Sequence, residues 1–288
     1  MKATVTAPAK INLTLDILGK RFDGYHNLST IMQTVSLYDS VTVTRTDGSE
    51  ISVSCDYPGV PCDESNIVYK SAVKFFDYTK IAPSGLRIHI DKSIPTQAGL
   101  AGGSADGGAV IVALNKLFSA NLNISQMMEI GEKIGADVPF CIMGGTCHAQ
   151  ETGTKLTKLK PMPKCHIVIC KPEISVSTAV AYEKVDSLPK KDFEYTNEAI
   201  KSLYRRDIRM LCSCMYNDFE EALCLDEVNK IKLEMIKHKA KGACMSGSGS
   251  AVFGVFLTEK NAQKCCDELK KSYKDVFLCE PVKNGCTF

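Results

Sequence analysis

The run Gly99-Leu100-Ala101-Gly102-Gly103-Ser104-Ala105-Asp106-Gly107-Gly108 constrains this chain more than any other. It follows a period-two stretch, Leu86/Ile88/Ile90, and opens an apolar helical pattern over Ser104 to Phe118. Glycine inside a helix costs roughly 1 kcal/mol relative to alanine, so Gly107 and Gly108 imply the close approach of another segment. In the preceding loop, Pro95-Thr96-Gln97-Ala98-Gly99-Leu100-Ala101-Gly102-Gly103-Ser104, glycines let the backbone turn its N–H groups inward. The helix N-terminus adds partial positive charge, and together they suit a phosphate group. This is not a Walker A loop, because no Lys-Ser/Thr follows the final glycine, and it is not Gly-x-Gly-x-x-Gly. Taken alone, it could equally be a flexible turn with a glycine-rich helix contact. A second small-residue loop, Gly242 to Ser250, precedes a strand and is a plain hairpin or linker unless it faces the first.

The rest of the chain suggests an α+β protein. Ile11, Leu13, Leu15 and Ile17 alternate with Lys10, Asn12, Thr14 and Asp16, placing the polar set on the other face of a strand. Val41/Val43 and Ile51/Val53/Cys55 repeat the period, and half-buried strands of this kind predict a largely antiparallel sheet with helices on one side. Helical spacing covers Asn66 to Lys80, a helix capped by Ser125 ends near Gly135, and long helices are expected over 196–216, 225–240 and 260–273. Strands are expected at His166–Cys170, Ala251–Leu257 and Val276–Glu280. The 288 residues imply two domains, divided near 155: residues 1–155 and 156–288.

Net charge is +2, from 35 basic and 33 acidic residues, which argues against nucleic acid as a partner. No apolar run is long enough for a transmembrane helix, and the N-terminus lacks the apolar core of a signal peptide. A cytoplasmic protein with no membrane partner is expected. The fourteen cysteines include no Cys-x-x-Cys and predict reduced, mostly buried thiols rather than a zinc site.

Three charged stretches stand out, the first two with two readings each. Lys10 is either a solvated lysine on an exposed strand face or, beside Asn12, a cation aimed at a hydroxyl or phosphate. Asp137, in Gly135-Ala136-Asp137-Val138-Pro139-Phe140, is either a helix cap or turn residue or an active carboxylate. Arg21-Phe22-Asp23-Gly24-Tyr25-His26 carries the Asp-Gly signal of a hairpin tip.

Read together, Pro8-Ala9-Lys10-Ile11-Asn12-Leu13, Gly99 to Ser104, Ala136-Asp137-Val138-Pro139-Phe140 and Ser246-Gly247-Ser248-Gly249 resemble the three motifs of the GHMP small-molecule kinases. Gly19 to Leu28, Tyr38-Asp39, Lys171-Pro172 through Ser177-Thr178 and Asn217 to Glu220 narrow the resemblance to one branch. Its members phosphorylate a cytidine-diphosphate-linked methylerythritol in the non-mevalonate route to isoprenoid (terpenoid) precursors. The resemblance covers nearly the whole chain.

The resemblance implies a two-domain GHMP kinase fold. Its N-terminal half would be like the second domain of ribosomal protein S5, its C-terminal half an α/β domain, with ATP and the alcohol meeting between them. Lys10 and Asp137 would be catalytic. Pro95, Thr96, Gln97, Ala98, Gly99, Leu100, Ala101, Gly102, Gly103, Ser104 and Ala105 would wrap the phosphates of ATP, held with Mg²⁺. Asn66, Lys92 and Asp106 would lie near the nucleotide. Asn12, Tyr25, His26, Thr178 and Tyr182 would meet the substrate, Tyr25 and Tyr182 as the two faces of a cytosine sandwich. Ala101 and Glu151 stand where glycine is usual, and Asp106 where asparagine occurs in some relatives. Phosphoryl transfer rests mainly on positioning, so Asp137, paired to Lys10, is expected to take the hydroxyl proton late. Other GHMP kinases, acting on mevalonate, homoserine or a sugar, offer no base for two aromatic rings to stack on. A non-catalytic sensor on the same fold is the reading from another class, and the presence of both Lys10 and Asp137 argues against it.

Overall fold

The structure, a computed structural model, describes residues 1–189 and 193–288. In chain order the elements are β1 (Lys2–Lys20), β2 (His26–Thr46), β3 (Ile51–Cys55), α1 (Ile67–Thr79), β4 (Gly85–Asp91), α2 (Gly102–Leu117) and α3 (Ile124–Glu132). Then come α4 (Val138–Met143), β5 (Thr146–Glu151), β6 (Lys155–Lys158), β7 (His166–Lys171), α5 (Thr178–Val185), α6 (Tyr195–Arg205) and α7 (Ile208–Ser213). The chain closes with β8 (Tyr216–Asn217), α8 (Asp218–Leu223), α9 (Asp226–Lys237), β9 (Gly242–Met245), β10 (Val252–Phe256), α10 (Glu259–Leu269) and β11 (Asp275–Cys279).

The first sheet runs β3-β4-β2-β1-β8. Its long β2 pairs with β4 through Ser40–Thr46 and with β5 through Leu28–Gln33, and β6 extends β5. That sheet therefore continues to Lys158, past the expected division at 155. The second sheet, β11-β7-β10-β9, is antiparallel throughout. One core packs α1 and α2 on the first sheet, through Val5, Val41, Phe75 and Val110. Another lies between the sheets, joining Ile11, Leu13 and Ile31 to Ile167, Ile169 and Phe253. A third packs α9 and α10 on the far side of the second sheet, through Val168, Phe256, Ile231 and Cys265.

The alternation of β1 does not mark a solvent face. Residues 7–16 are all buried. The second half of the chain packs on Ile11 and Leu13, and Thr14 and Asp16 bond to Thr196 at the start of α6. Lys10 and Asn12, on the other side of a register shift between Asn12 and Thr14, turn into an internal cavity. Lys10 is 4% exposed. The ladder between β1 and β2 also breaks here. Pro8 pairs with Tyr38 but Lys10 with Thr34, so β2 passes three residues, 35–37, opposite Ala9 alone. Such bulges re-aim a side chain. The displaced β2 backbone is taken up by the tail, where Ser36 N donates to Glu280 O and Val282 N to Thr34 O. The N–H of Lys10 leads away to Leu100 O, 3.1 Å, within the glycine loop.

Several expected boundaries shift. The helix expected from Ser104 starts at Gly102. Asn123, not Ser125, caps α3, in a capping box with Gln126. The helix expected over 196–216 is two helices, because Arg206 takes a left-handed φ of 56° and Asp207 caps the second through Arg209 N and Met210 N. Gly242–Met245 is strand, which confines the second small-residue loop to Ser246–Ser250. Eleven of the fourteen cysteines are buried, while Cys55 is half-buried and Cys62 and Cys224 are exposed. Burial pushes the Cys147 thiol up to about 11 and those of Cys165, Cys212 and Cys279 to about 12. Among the described residues no helix is long and apolar enough to cross a membrane.

Candidate active site

The two small-residue loops meet. Ala251 N donates to Ala98 O at 3.1 Å, and the hydroxyl of Ser246 donates to Gly99 O at 2.9 Å. Gly99 lies at φ +74°, and a Cβ there would overlap the carbonyl oxygen of Ser246. Only glycine permits this contact. The second loop is thus a wall of the site, not a linker. The backbone N–H of Asn12 donates to Ser246 Oγ at 3.2 Å, which adds β1 to the same junction.

Around that junction lies a cavity of about 900 Å³. Its walls include Lys10, Asn12, Asn66, Lys92, Asp106, Asp137, Thr178, Tyr182 and every residue from Pro95 to Ser104. Ala105 is the exception among the expected loop residues. It points into the core beneath α2, where its carbonyl accepts from Cys286 Sγ. Residues with no expected role also line the cavity: Pro58 to Pro61, Thr152, Phe219 and Gly247 to Gly249. Nothing in the periodicity of the 56–61 segment marks it. It is held at one end by Asp56, which accepts from Lys92 N and donates its own N–H to Ile90 O. At the other end it is held by Asn66, whose amide donates to Pro61 O while its oxygen caps α1 through Val68 N.

Lys10 Nζ donates to Asn12 Oδ1 at 2.6 Å and lies 3.6 Å from Asp137 Oδ2. Asn12 is fixed in turn by its own donation to Thr30 Oγ1, 2.8 Å, and Thr30 donates to the carbonyl of Thr14. The ammonium is buried, whereas the Asp137 side chain is 31% exposed toward the cavity. Asp137 does occupy the N-cap position of α4, yet its side chain makes no capping bond there. The carboxylate therefore faces Lys10 instead of its own helix.

The glycine loop has the properties an anion needs. The N-cap of α2 is Ala101, with φ 56° and no capping side chain, so the first N–H groups of the helix lack an intrahelical partner. Gly103 lines the cavity, and a Cβ there would meet nothing within 4 Å. Packing does not demand this glycine; the open space beside it fits a phosphate.

A second cavity, about 390 Å³, adjoins the first through Thr152 and Tyr182 and includes Tyr25, His26 and Asp186. Tyr25 and Tyr182, expected on the two faces of a cytosine, both line this second cavity. His26 stacks on Tyr182, with centroids 4.6 Å apart and planes at 18°, while Phe219 meets Tyr182 edge-on. Tyr25 is 66% exposed at the hairpin tip, where Arg21 forks onto Asp23. His26 is buried and its Nε2 lies 2.6 Å from Asp186 Oδ1, and Lys20 reaches the other oxygen at 3.1 Å. Those two hydrogen bonds hold the Asp186 carboxyl below its ordinary value. Burial raises the phenol of Tyr182, and the Asp137 carboxylate adds to it. Asp186 was not legible as a partner of His26, being 160 residues away in sequence.

Residues 66–145 match the family described as GHMP kinases N terminal domain, and residues 199–275 match GHMP kinases C terminal. The chain belongs to the GHMP kinases, a family of ATP-using small-molecule phosphotransferases. It is 42% identical over 280 residues, 96% of each chain, to the 4-diphosphocytidyl-2-C-methyl-D-erythritol kinase of Caldicellulosiruptor saccharolyticus. The kinase of that name from Clostridium botulinum is 43% identical over 281 residues, 96% of this chain and 99% of its own. The crystal structure of a 4-(cytidine 5'-diphospho)-2C-methyl-D-erythritol kinase matches with a TM-score of 0.80 at 28% identity, over 98% of this chain and 99% of that one. A homoserine kinase from Cytophaga hutchinsonii also gives 0.80, at 21% identity over 99% and 96%, and shares the fold.

Proposed function

We propose that the chain transfers the γ-phosphoryl group of ATP to the tertiary hydroxyl of 4-diphosphocytidyl-2-C-methyl-D-erythritol, with Lys10 and Asp137 as the catalytic pair. The observation that carries this reading is the placement of that pair, 3.6 Å apart, in a cavity that also exposes the glycine loop. Residues 95–104 bind the triphosphate through backbone N–H groups and the start of α2. Lys10, held by Asn12, offsets negative charge that builds on the transferring group. Asp137 accepts a hydrogen bond from the acceptor hydroxyl, orients it, and takes its proton late, since a loose transition state needs little early deprotonation.

Mg²⁺ fits this site as a partner of the phosphates. It is usually held by one or two protein groups besides phosphate oxygens and water, and no cluster of three or more acidic, His or Cys ligands occurs among the described residues. Ser104, on the cavity wall, would offer its hydroxyl. When bound, the ion neutralises phosphate charge.

Asp137→Asn keeps the size of the side chain and removes its charge and basicity. We expect kcat to fall by about 10²–10⁴, the usual range for a general base, with KM for ATP nearly unchanged. Steady-state kinetics with both substrates varied decides it, and a kcat within threefold of wild type would remove Asp137 from the role.

A further inference from the structure

Beneath the glycine loop lies a buried ionic cluster that the phosphoryl-transfer chemistry leaves unused. Asp39, on β2, is 1% exposed. Its Oδ1 accepts from the backbone N–H of Ser93 at 2.6 Å and of Ile94 at 2.8 Å. Its Oδ2 accepts from Lys92 Nζ at 2.5 Å. Ser93 and Ile94 follow the end of β4, so neither belongs to a strand. One carboxylate thus holds three consecutive residues at the entrance to the loop.

The same ammonium reaches the exit. Lys92 Nζ donates to Asp106 Oδ2 at 2.9 Å, on the second turn of α2. The helix start leaves it room, since a Cβ on Gly102 would stand 3.1 Å from Nζ and 3.0 Å from Ile94 Cγ2. Asp39 therefore grips the entrance directly and the exit through Lys92. Between these points the carbonyls of Ala98, Gly99 and Leu100 accept from Ala251 N, Ser246 Oγ and Lys10 N, so what Asp39 adds is the placement of the segment's two ends, whose backbone ordering is otherwise a cost. Ordering such a segment in advance lowers the cost of binding, and its effect falls on affinity.

We propose that Asp39 is a positioning residue for the nucleotide: by clamping Ser93, Ile94 and, through Lys92, Asp106, it presets residues 95–101 in the shape that receives ATP. The proposal rests on the reading that this loop holds the phosphates. It assigns Asp39 no contact with substrate or with the reacting atoms.

Asp39→Asn is close to isosteric. The amide oxygen can still accept from Ser93 and Ile94, but the amide NH₂ replaces the oxygen that attracts Lys92. We expect KM for ATP to rise roughly ten- to a hundredfold, kcat at saturating ATP to fall less than about threefold, and KM for the alcohol to stay put. An ATP KM within twofold of wild type overturns the proposal. So does a fall in kcat with both KM values unchanged, which is what loss of folded enzyme alone produces. Hydrogen exchange on the wild-type protein serves if the variant does not fold. The amides of Ser93 and Ile94 should exchange as slowly as those of β4, and rapid exchange there also overturns it. Gly103→Val, which projects a side chain into the open part of the cavity, separates the two layers of the argument. If it leaves ATP KM unchanged, the loop does not hold ATP. If it raises KM while Asp39→Asn does not, only the clamp fails.

Discussion

Asp106 gives Oδ2 to Lys92, while its Oδ1 is buried without a hydrogen-bond partner among the described residues. Burial raises the carboxyl from 3.8 to about 7, against the pull of Lys92 and with a further push from Asp39. An acid with a higher pKa folded than unfolded binds more protons in the native state between the two values. Stability then falls as pH rises from about 4 to about 7. Asparagine at this position has no charge to desolvate and keeps an oxygen for Lys92. Asp106→Asn should therefore gain on wild type as pH rises: the difference in Tm, variant minus wild type, should be about 2–8 °C larger at pH 8 than at pH 5, equivalent to roughly 1–2 kcal/mol in a chain of this size. Thermal melts at the two pH values check it, and a difference that is constant or shrinks contradicts it. The other two departures from the family pattern also acquire a physical meaning. Ala101 sits at φ 56° and Glu151 at φ 60°, a region where a Cβ costs roughly 1–2 kcal/mol. Glycine is usual at both positions because it adopts that conformation freely.

At the scale of elements, segments with a repeated apolar period were readable, the short strands β3, β7, β10 and β11 among them, and the short helices were not. The alternation of β1 and the spacing of α1, α2 and α9 come from repeated apolar contacts, which leave a pattern in the sequence. Helices α4, α5 and α8, at 6, 8 and 6 residues, span barely two turns and leave none. The motif residues of the site, Lys10, Asp137 and the glycine loop, were recognisable locally. Asp39 entered only through the resemblance and Asp186 not at all, because their contacts are with partners 53 and 160 residues away. The tail beyond β11 shows the same limit. Thr6 and Thr287 exchange backbone hydrogen bonds at 2.7 and 3.1 Å, and Cys286 N donates to Cys141 O at 2.9 Å. Gly285 packs so closely that a Cβ on Gly144 would overlap its backbone. The tail thereby fastens α4, whose first turn follows Asp137, to β1, which carries Lys10. At about 0.5–1.5 kcal/mol per net hydrogen bond, deleting residues 284–288 should lower Tm by roughly 5–15 °C and reduce kcat. Melting and single-turnover assays test this, and a Tm within 2 °C of wild type would show the tail to be decoration.

At the scale of the whole molecule, the two halves of the chain line two adjoining cavities. The large cavity holds Lys10, Asp137 and the glycine loop, and the smaller one, between the β1–β2 hairpin tip and α5, continues from it through Tyr182 and Thr152. A substrate with an alcohol at one end and a cytosine nucleotide at the other suits this layout. A flat base needs ring faces and a fixed polar edge. Tyr25 presents an exposed ring at the hairpin tip, and His26, buried against Tyr182 and held by Asp186, is the rigid polar group nearby. Stacking one base on an aromatic ring contributes roughly 1–3 kcal/mol. Tyr25→Ala should therefore raise KM for the alcohol by about five- to 150-fold. Because the stacking is equal in ground and transition states, kcat should change much less. Tyr25→Phe should cost little, since the ring face remains. CMP or CDP should compete with the alcohol substrate, and Tyr25→Ala should weaken that inhibition by a similar factor. Inhibition constants for CMP in wild type and in Tyr25→Ala are the measurement. If CMP does not compete, or binds both proteins equally, the base does not rest on Tyr25, and a GHMP substrate without a nucleotide becomes the better reading of this site.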